Sequence, residues 1–95
     1  MNVQTTAVPA LAPQFDLNDP QHLAMRKLMA NAYARHAIAL ERGLPESASR
    51  NLGIAQGFDL MAWVVFQDWD LSALAAELET HMLNLERAHF LRATA

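Results

Sequence analysis

Residues 58–66 read Phe-Asp-Leu-Met-Ala-Trp-Val-Val-Phe, and this stretch decides what kind of fold the chain adopts. The run from Leu60 to Phe66 is fully apolar, so in a helix with 3.6 residues per turn its side chains cover every side. A helix that is apolar on all sides is expected to be buried on all sides. Valine, tryptophan and phenylalanine also favour strands, but no partner strand is visible elsewhere, so we predict a helix.

The apolar content of the whole chain is high for its length. With 95 residues the chain forms one domain at most, and a domain of this size buries only about 60–65% of its unfolded surface. Apolar residues make up 53% of the sequence and charged residues 18%, against about 45–50% and about 25% in ordinary soluble domains. Because a thin core cannot hold this surplus, we predict that the chain completes its core as a homodimer.

The first helix is predicted over residues 20–42. Asp19 is a favourable N-cap, and Pro20 suits the first helical position because its missing N–H has no partner there. Gly43 suits the left-handed position after the helix, and Pro45 prevents continuation.

Two more helices are predicted, over residues 46–67 and 70–92. The third is expected to begin with Asp70 as its N-cap, with Trp69 before the cap packing against Leu74. Short connections between helices of this length predict an all-α, antiparallel up-down-up three-helix bundle.

The remaining N-terminal residues, 1–18, lack periodicity and are predicted to form a flexible arm, which leaves residues 19–95 as a single helical domain.

The predicted interface combines small and bulky residues. Ser49, Gly53 and Gly57 are four residues apart, a spacing of small residues that lets another helix approach closely. Aromatic residues are enriched at interfaces between proteins. Near the end of the third helix, Phe90 and Leu91 point away from the seam that Leu71, Leu78 and Leu85 form. The predicted interface residues are Gly53, Gly57, Phe58, Met61, Trp63, Val64, Phe66, Trp69, Phe90 and Leu91.

Four histidines raise the alternative of a metal- or haem-binding protein that uses His36, His81 or His89. Glu86 and His89 have the Glu-x-x-His spacing of di-iron bundles, but no carboxylates on facing helices complete such a site. We therefore predict no metal and no cofactor. His22, in the first turn of the first helix, is predicted to be exposed.

A basic face on the first helix, formed by Lys27, Arg35 and Arg42, raises the alternative of a nucleic-acid-associated regulator. The net charge of −3 and the absence of a DNA-binding motif speak against it. The second segment, residues 43–70, is acidic through Glu46, Asp59, Asp68 and Asp70. Pairing with this acidic second segment, or solvation, is the expected role of the basic face.

Catalytic motifs are absent from the sequence. It has no phosphate-binding loop, no serine-centred elbow and no cysteine, so it is predicted not to be an enzyme. Neither a secretory signal nor a membrane-spanning run is present, so a cytoplasmic location is expected. The predicted function is a small interaction module, a regulator, adaptor or inhibitor that binds another cytoplasmic protein through apolar helical surfaces.

Overall fold

The computed structural model describes residues 12–94, and three α-helices account for most of this part of the chain. Helix α1 spans Pro20–Glu41, α2 spans Pro45–Leu60, and α3 spans Trp69–Thr94. A five-residue π-helical turn, Met61–Val65, continues α2 directly. No strand occurs among the described residues, and each α-helix contacts the other two. The predicted all-α bundle of three helices is confirmed.

Both ends of α1 follow the local chemistry of the sequence. The Asp19 side chain accepts a hydrogen bond from the Gln21 N–H at 2.8 Å, and Pro20 occupies the first turn. At the other end Gly43 has a φ of +67°, and its N–H donates to the Leu40 carbonyl at 3.2 Å. The Leu44 N–H donates to the Ala39 carbonyl at 2.8 Å, which completes the Schellman pair of bonds that ends many helices.

The N-cap of α3 is Asp68, so the prediction of Asp70 is wrong. The Leu71 N–H donates to Asp68 Oδ1 at 3.1 Å, and the Ser72 N–H donates to the Asp68 carbonyl at 3.0 Å. Trp69 is therefore the first helical residue instead of the residue before the cap. The predicted staple between Trp69 and Leu74 is wrong for the same reason, because a staple needs its first member outside the helix.

The α-helix predicted over residues 46–67 ends at Leu60, and the apolar run that follows adopts wider π geometry. The Phe66 N–H donates to the Met61 carbonyl, five residues back, at 3.0 Å. Of the residues in the turn only Ala62 is buried. Burial on all sides, which the apolar run predicts, is therefore not achieved by the part of the chain that the structure describes.

The main hydrophobic core lies in one half of the bundle. Its buried members are Met25, Met29, Ala32, Phe58, Ala62, Leu71 and Ala75. The buried residues outside this cluster are three alanines, one methionine and three polar residues, namely Ala39, Ala48, Ala55, Met82, His22, His36 and Asn51. Large apolar side chains thus fill one half, and alanine and polar residues fill much of the other.

Part of the predicted flexible arm, residues 1–11, lies outside the described residues. In the part that is described, Phe15 packs against the main core, and the Asp16 N–H donates to a ring nitrogen of His22 at 2.8 Å. These contacts attach residues 15 and 16 to the beginning of α1.

Candidate functional site

Exposed apolar side chains are concentrated where the π turn leads into α3. We call this region the tryptophan end and define it as residues 12–22 and 58–74. Six large apolar side chains between positions 60 and 69 are between 43% and 66% exposed, namely Leu60, Met61, Trp63, Val64, Val65 and Trp69. Monomeric proteins seldom expose a contiguous apolar patch larger than a few hundred Å², so this group of residues is the candidate binding surface of the molecule.

The two tryptophans of this patch support each other. The ring centroids of Trp63 and Trp69 are 5.7 Å apart, and the ring planes meet at 75°. This edge-to-face geometry is a favourable one for aromatic pairs. Each ring contacts the other, and both residues remain more than half exposed. A pre-positioned aromatic side chain loses little entropy on binding, which suits it to anchor a partner.

The structure divides the predicted interface residues into three groups. Met61, Trp63, Val64 and Trp69 lie exposed at the tryptophan end. Phe58 belongs to the main core, and Phe66 is half-buried against it, so neither offers much surface to a partner.

The other predicted interface residues lie elsewhere on the molecule. Gly53 and Gly57 are exposed on α2, and a Cβ atom added at either would meet nothing within 4 Å. Phe90 and Leu91 are 66% and 60% exposed near the end of α3. Trp69 and Phe90 are 21 residues apart on one helix, which corresponds to about 31 Å. The prediction joined two surfaces that lie at opposite ends of the bundle.

The opposite end of the bundle contains a cleft. We call this region the cleft end and define it as residues 37–50 and 83–94. The cleft has a volume of about 630 Å³, and its lining is mainly apolar. Principal lining residues are Leu40, Leu44, Pro45, Leu83, Arg87 and Phe90. Sequence reasoning did not find it, although the small Ala39 and Ala48 on inward positions of α1 and α2 were a signal that this half is underfilled.

His22 is 5% exposed and joins three segments, so the prediction that it is exposed is wrong. Its Nδ1 accepts the N–H of Asp16, and its Nε2 donates to Asp68 Oδ2 at 2.7 Å. Nε2 also lies 4.0 Å from Asp19 Oδ2. The ring thus connects the N-terminal segment with the N-caps of α1 and α3. The sequence did contain a signal, because His22 precedes Met25 and Met29 at helical spacing on the buried face.

The carboxylate of Asp68 is stabilised in its charged form. Partial burial alone would raise the pKa of Asp68, but the hydrogen bonds from His22 and from the Leu71 N–H outweigh that effect, and the pKa lies below its usual value. The group is therefore an acceptor that holds two elements together, and it is ill suited to deliver a proton near neutral pH.

Asp19, His22 and Asp68 form the one cluster of three potential metal ligands in the part of the chain that the structure describes. The hydrogen bonds argue against a metal there. Because Nδ1 accepts the Asp16 N–H, the neutral ring carries its proton on Nε2. Binding a cation through Nε2 would move that proton to Nδ1, where it would face the Asp16 N–H. The donor set fits a structural clamp better than a metal site.

His36 is fully buried, and both of its ring nitrogens face backbone carbonyl groups. Nδ1 lies 3.0 Å from the Ala48 carbonyl oxygen of α2, and Nε2 lies 3.2 Å from the Met82 carbonyl oxygen of α3. No open coordination position remains for haem or a metal, since each nitrogen is already directed at a carbonyl group. The ring ties α1 to both other helices at the point where the main core ends.

The remaining residues named for a metal site or for a nucleic-acid-binding face do not form a common site. His81 is exposed, and His89 is half-buried and lines the cleft together with Glu86. Lys27, Arg35 and Arg42 of the basic face are exposed, and none of the described Lys or Arg side chains forms an ion pair within 4 Å of a described carboxylate. The expected pairing of the basic face with the acidic second segment is not observed in this part of the chain.

Comparison with protein-family models, with curated proteins and with solved structures finds no match to this chain. Among the described residues, no helix combines the length and the apolar character that crossing a bilayer requires.

Proposed function

We propose that this protein is a small non-enzymatic interaction module that acts as a regulator, adaptor or inhibitor of another cytoplasmic protein and that also associates with itself as a homodimer. The observation that carries the proposal is the group of six exposed apolar side chains between positions 60 and 69 at the tryptophan end. Water contact with this surface is unfavourable by roughly 25 cal/mol for each Å² of apolar area, so covering it by another chain is the expected gain.

The proposal includes the predicted antiparallel up-down-up arrangement. Two contacts support it: His22 with Asp68 and His36 with Met82, each joining residues 46 positions apart. The number of positions between the contacting residues stays constant along α1, which is expected when α1 and α3 run in the same direction. Helix α2, joined to both by short connections, then runs opposite to them.

The proposal favours protein partners over the alternatives. Among the described residues, His36 is engaged with two backbone carbonyl groups, and neither His81 nor His89 belongs to a group of three potential metal ligands. The charged side chains around the tryptophan pair are acidic, which disfavours contact with phosphate groups.

An affinity-capture experiment tests the proposal. The wild type and two variants serve as baits in extract of the native host: Trp63→Asp, within the exposed patch, and Leu28→Asp, at a 52% exposed residue of α1 outside it. We expect the wild type and Leu28→Asp to retain the same protein and Trp63→Asp to lose it. The proposal fails if the wild type retains nothing specific, or if both variants lose the captured protein equally.

A further inference from the structure

The two ends of the bundle differ in charge as well as in shape. The tryptophan end carries five aspartates and no lysine or arginine: Asp16, Asp19, Asp59, Asp68 and Asp70. The cleft end carries four arginines and three glutamates, a net charge of +1. Two tryptophan ends brought together would place ten carboxylates in one contact, whereas a tryptophan end facing a cleft end brings opposite net charges together.

The aspartates lie close to the exposed apolar residues. Asp59 accepts a hydrogen bond from the Ser72 hydroxyl at 2.6 Å and lines a shallow depression together with Trp63. Asp70 follows Trp69 directly, and Asp68 caps the same helix. A partner that binds the tryptophan pair therefore also contacts these aspartates.

The two ends are complementary in shape. One presents large apolar side chains that the described residues do not cover, and the other presents an apolar cleft of about 630 Å³ that the described residues do not fill. The charged residues in the lining of that cleft are Glu86 and Arg87, and Arg42 directly precedes the lining residue Gly43 in the sequence.

An exposed row of α2 connects the two ends. Pro45, Ser49, Gly53, Gly57 and Met61 follow one another at intervals of four residues, and all are exposed. The row begins at the cleft, which Pro45 lines, and ends at the tryptophan end with Met61. Its glycines leave open space, so a second backbone can approach there closely.

We propose that the cleft is occupied by the tryptophan end of a second copy of this chain, in a closed antiparallel pair related by a two-fold axis. This inference rests on the proposed function, since it assigns one occupant to the apolar surface that carries that function. Each copy then places its tryptophans in the cleft of the other, and the Gly53–Gly57 segments face each other near the axis. A two-fold pair uses both contacts at once and closes, so it does not extend into a filament.

A complementation experiment tests the pair. Trp63→Glu removes the anchor at the tryptophan end, and Leu83→Glu places a negative charge in the cleft. Mass is measured by light scattering after size-exclusion chromatography at micromolar concentration. We expect the 10.6 kDa chain to elute as a dimer and each variant alone to be at least tenfold weaker in dimer formation. Because a mixed pair retains one intact contact, the equimolar mixture is expected to form dimers more strongly than either variant alone.

Several results would overturn the inference. A mixture no stronger than its components would exclude a contact between tryptophan end and cleft. Loss of dimers with Trp63→Glu but not with Leu83→Glu would indicate that two tryptophan ends meet each other. A measured mass above that of a dimer would show that the assembly is not a closed pair. A monomeric wild type would overturn both the inference and the proposed self-association, while binding to a different protein would still be decided by the affinity-capture experiment.

A second measurement covers the case in which a variant fails to fold. The chain has no cysteine, so Asp70→Cys and Arg87→Cys introduce single thiols at exposed polar positions. With a short bismaleimide cross-linker, the mixture of the two variants is expected to give covalent dimers, and each variant alone is expected to give few. In the proposed pair residue 70 of one copy lies near residue 87 of the other, while equivalent residues lie far apart. Equal cross-linking of the separate variants would contradict the pair.

Discussion

The tryptophan end and the cleft end show opposite ways in which a short helical chain falls short of a complete core. Around the tryptophan end, large apolar side chains fill the interior, and others remain outside it. Around the cleft end, Ala39 and Ala48 are buried but too small to fill the space between the helices, and a cleft remains. The two halves meet at His36, whose ring nitrogens face carbonyl groups of α2 and α3. Large apolar side chains are in excess at the tryptophan end and too few at the cleft end. The proposed association of two copies would therefore complete the packing at both ends.

Leu71→Ala tests whether stability is concentrated at the tryptophan end, and the largest effect is expected here. Leu71 is fully buried in the main core, so its truncation is expected to lower the free energy of unfolding by about 3 kcal/mol. Leu83→Ala, at a 41% exposed residue of the cleft, is the matched control and should cost less than about 1 kcal/mol. Urea denaturation at one low protein concentration measures both. Equal losses would show that the two ends are packed alike.

Asp68→Ala tests the clamp that holds the tryptophan end together. The change removes the N-cap of α3 and the acceptor of the His22 hydrogen bond, and a loss of about 2 kcal/mol is expected. Asp70→Ala serves as control, because this residue is exposed and does not cap the helix; we expect a loss below about 1 kcal/mol. Thermal or urea unfolding compares them. If the Asp70 variant lost more, the assignment of the cap to Asp68 would be wrong.

The same carboxylate predicts a pH dependence. The pKa of Asp68 is lowered in the folded protein from its usual value of 3.8. Its contribution to stability is therefore fully present above that value and is lost as the pH falls through the pKa of the folded state. We expect the difference in unfolding free energy between wild type and Asp68→Asn to narrow as the pH falls from about 5 to about 3. A difference that widens over this range would contradict the sign of the shift.

The boundaries of α1 were predictable because neighbouring residues determine them: Asp19 and Pro20 begin the helix, and Gly43 ends it. The start of α3 was not predictable in this way. Asp68 and Asp70 are both capping residues by type, and Asp68 also accepts a hydrogen bond from His22, which is 46 positions away in the sequence. A contact between residues so far apart in the sequence is not visible in the local pattern.

The candidate site was predictable only in part, for a related reason. The apolar and aromatic residues between positions 58 and 69 include Trp63, Val64 and Trp69, which are exposed as an interface requires. They also include Phe58, which precedes the π turn and lies in the core on the same buried stripe of α2 as Asn51 and Ala55, a stripe that the prediction did not separate from the exposed residues. The cleft is a property of space between helices, and no single residue pattern encodes it.

Each end also has a turn that needs a positive φ, and the two turns differ in residue type. Gly43 at the cleft end has a φ of +67°, and Gln67 at the tryptophan end has a φ of +51°. Gly43→Ala is expected to cost about 1 kcal/mol, because a Cβ atom is disfavoured in this conformation. Gln67→Gly is expected to gain about 0.5 kcal/mol, since relief of strain is partly offset by the greater freedom of the unfolded chain. Urea denaturation of both variants checks the signs, and a stabilising Gly43→Ala would contradict the comparison.

The smallest expected effect concerns the row on α2 that joins the two ends. Gly57→Ala adds a Cβ atom that meets nothing within 4 Å, and glycine is a poor helix former. Each of Gly57→Ala and Gly53→Ala is therefore expected to raise the unfolding free energy of the monomer by about 0.7 kcal/mol. Dimer formation should respond in the opposite direction, because the added methyl groups separate the two backbones at the proposed axis. A pair of alanine variants that gained stability and dimerised as well as the wild type would show that the ends meet without α2, which would confine the interface to the tryptophans and the cleft.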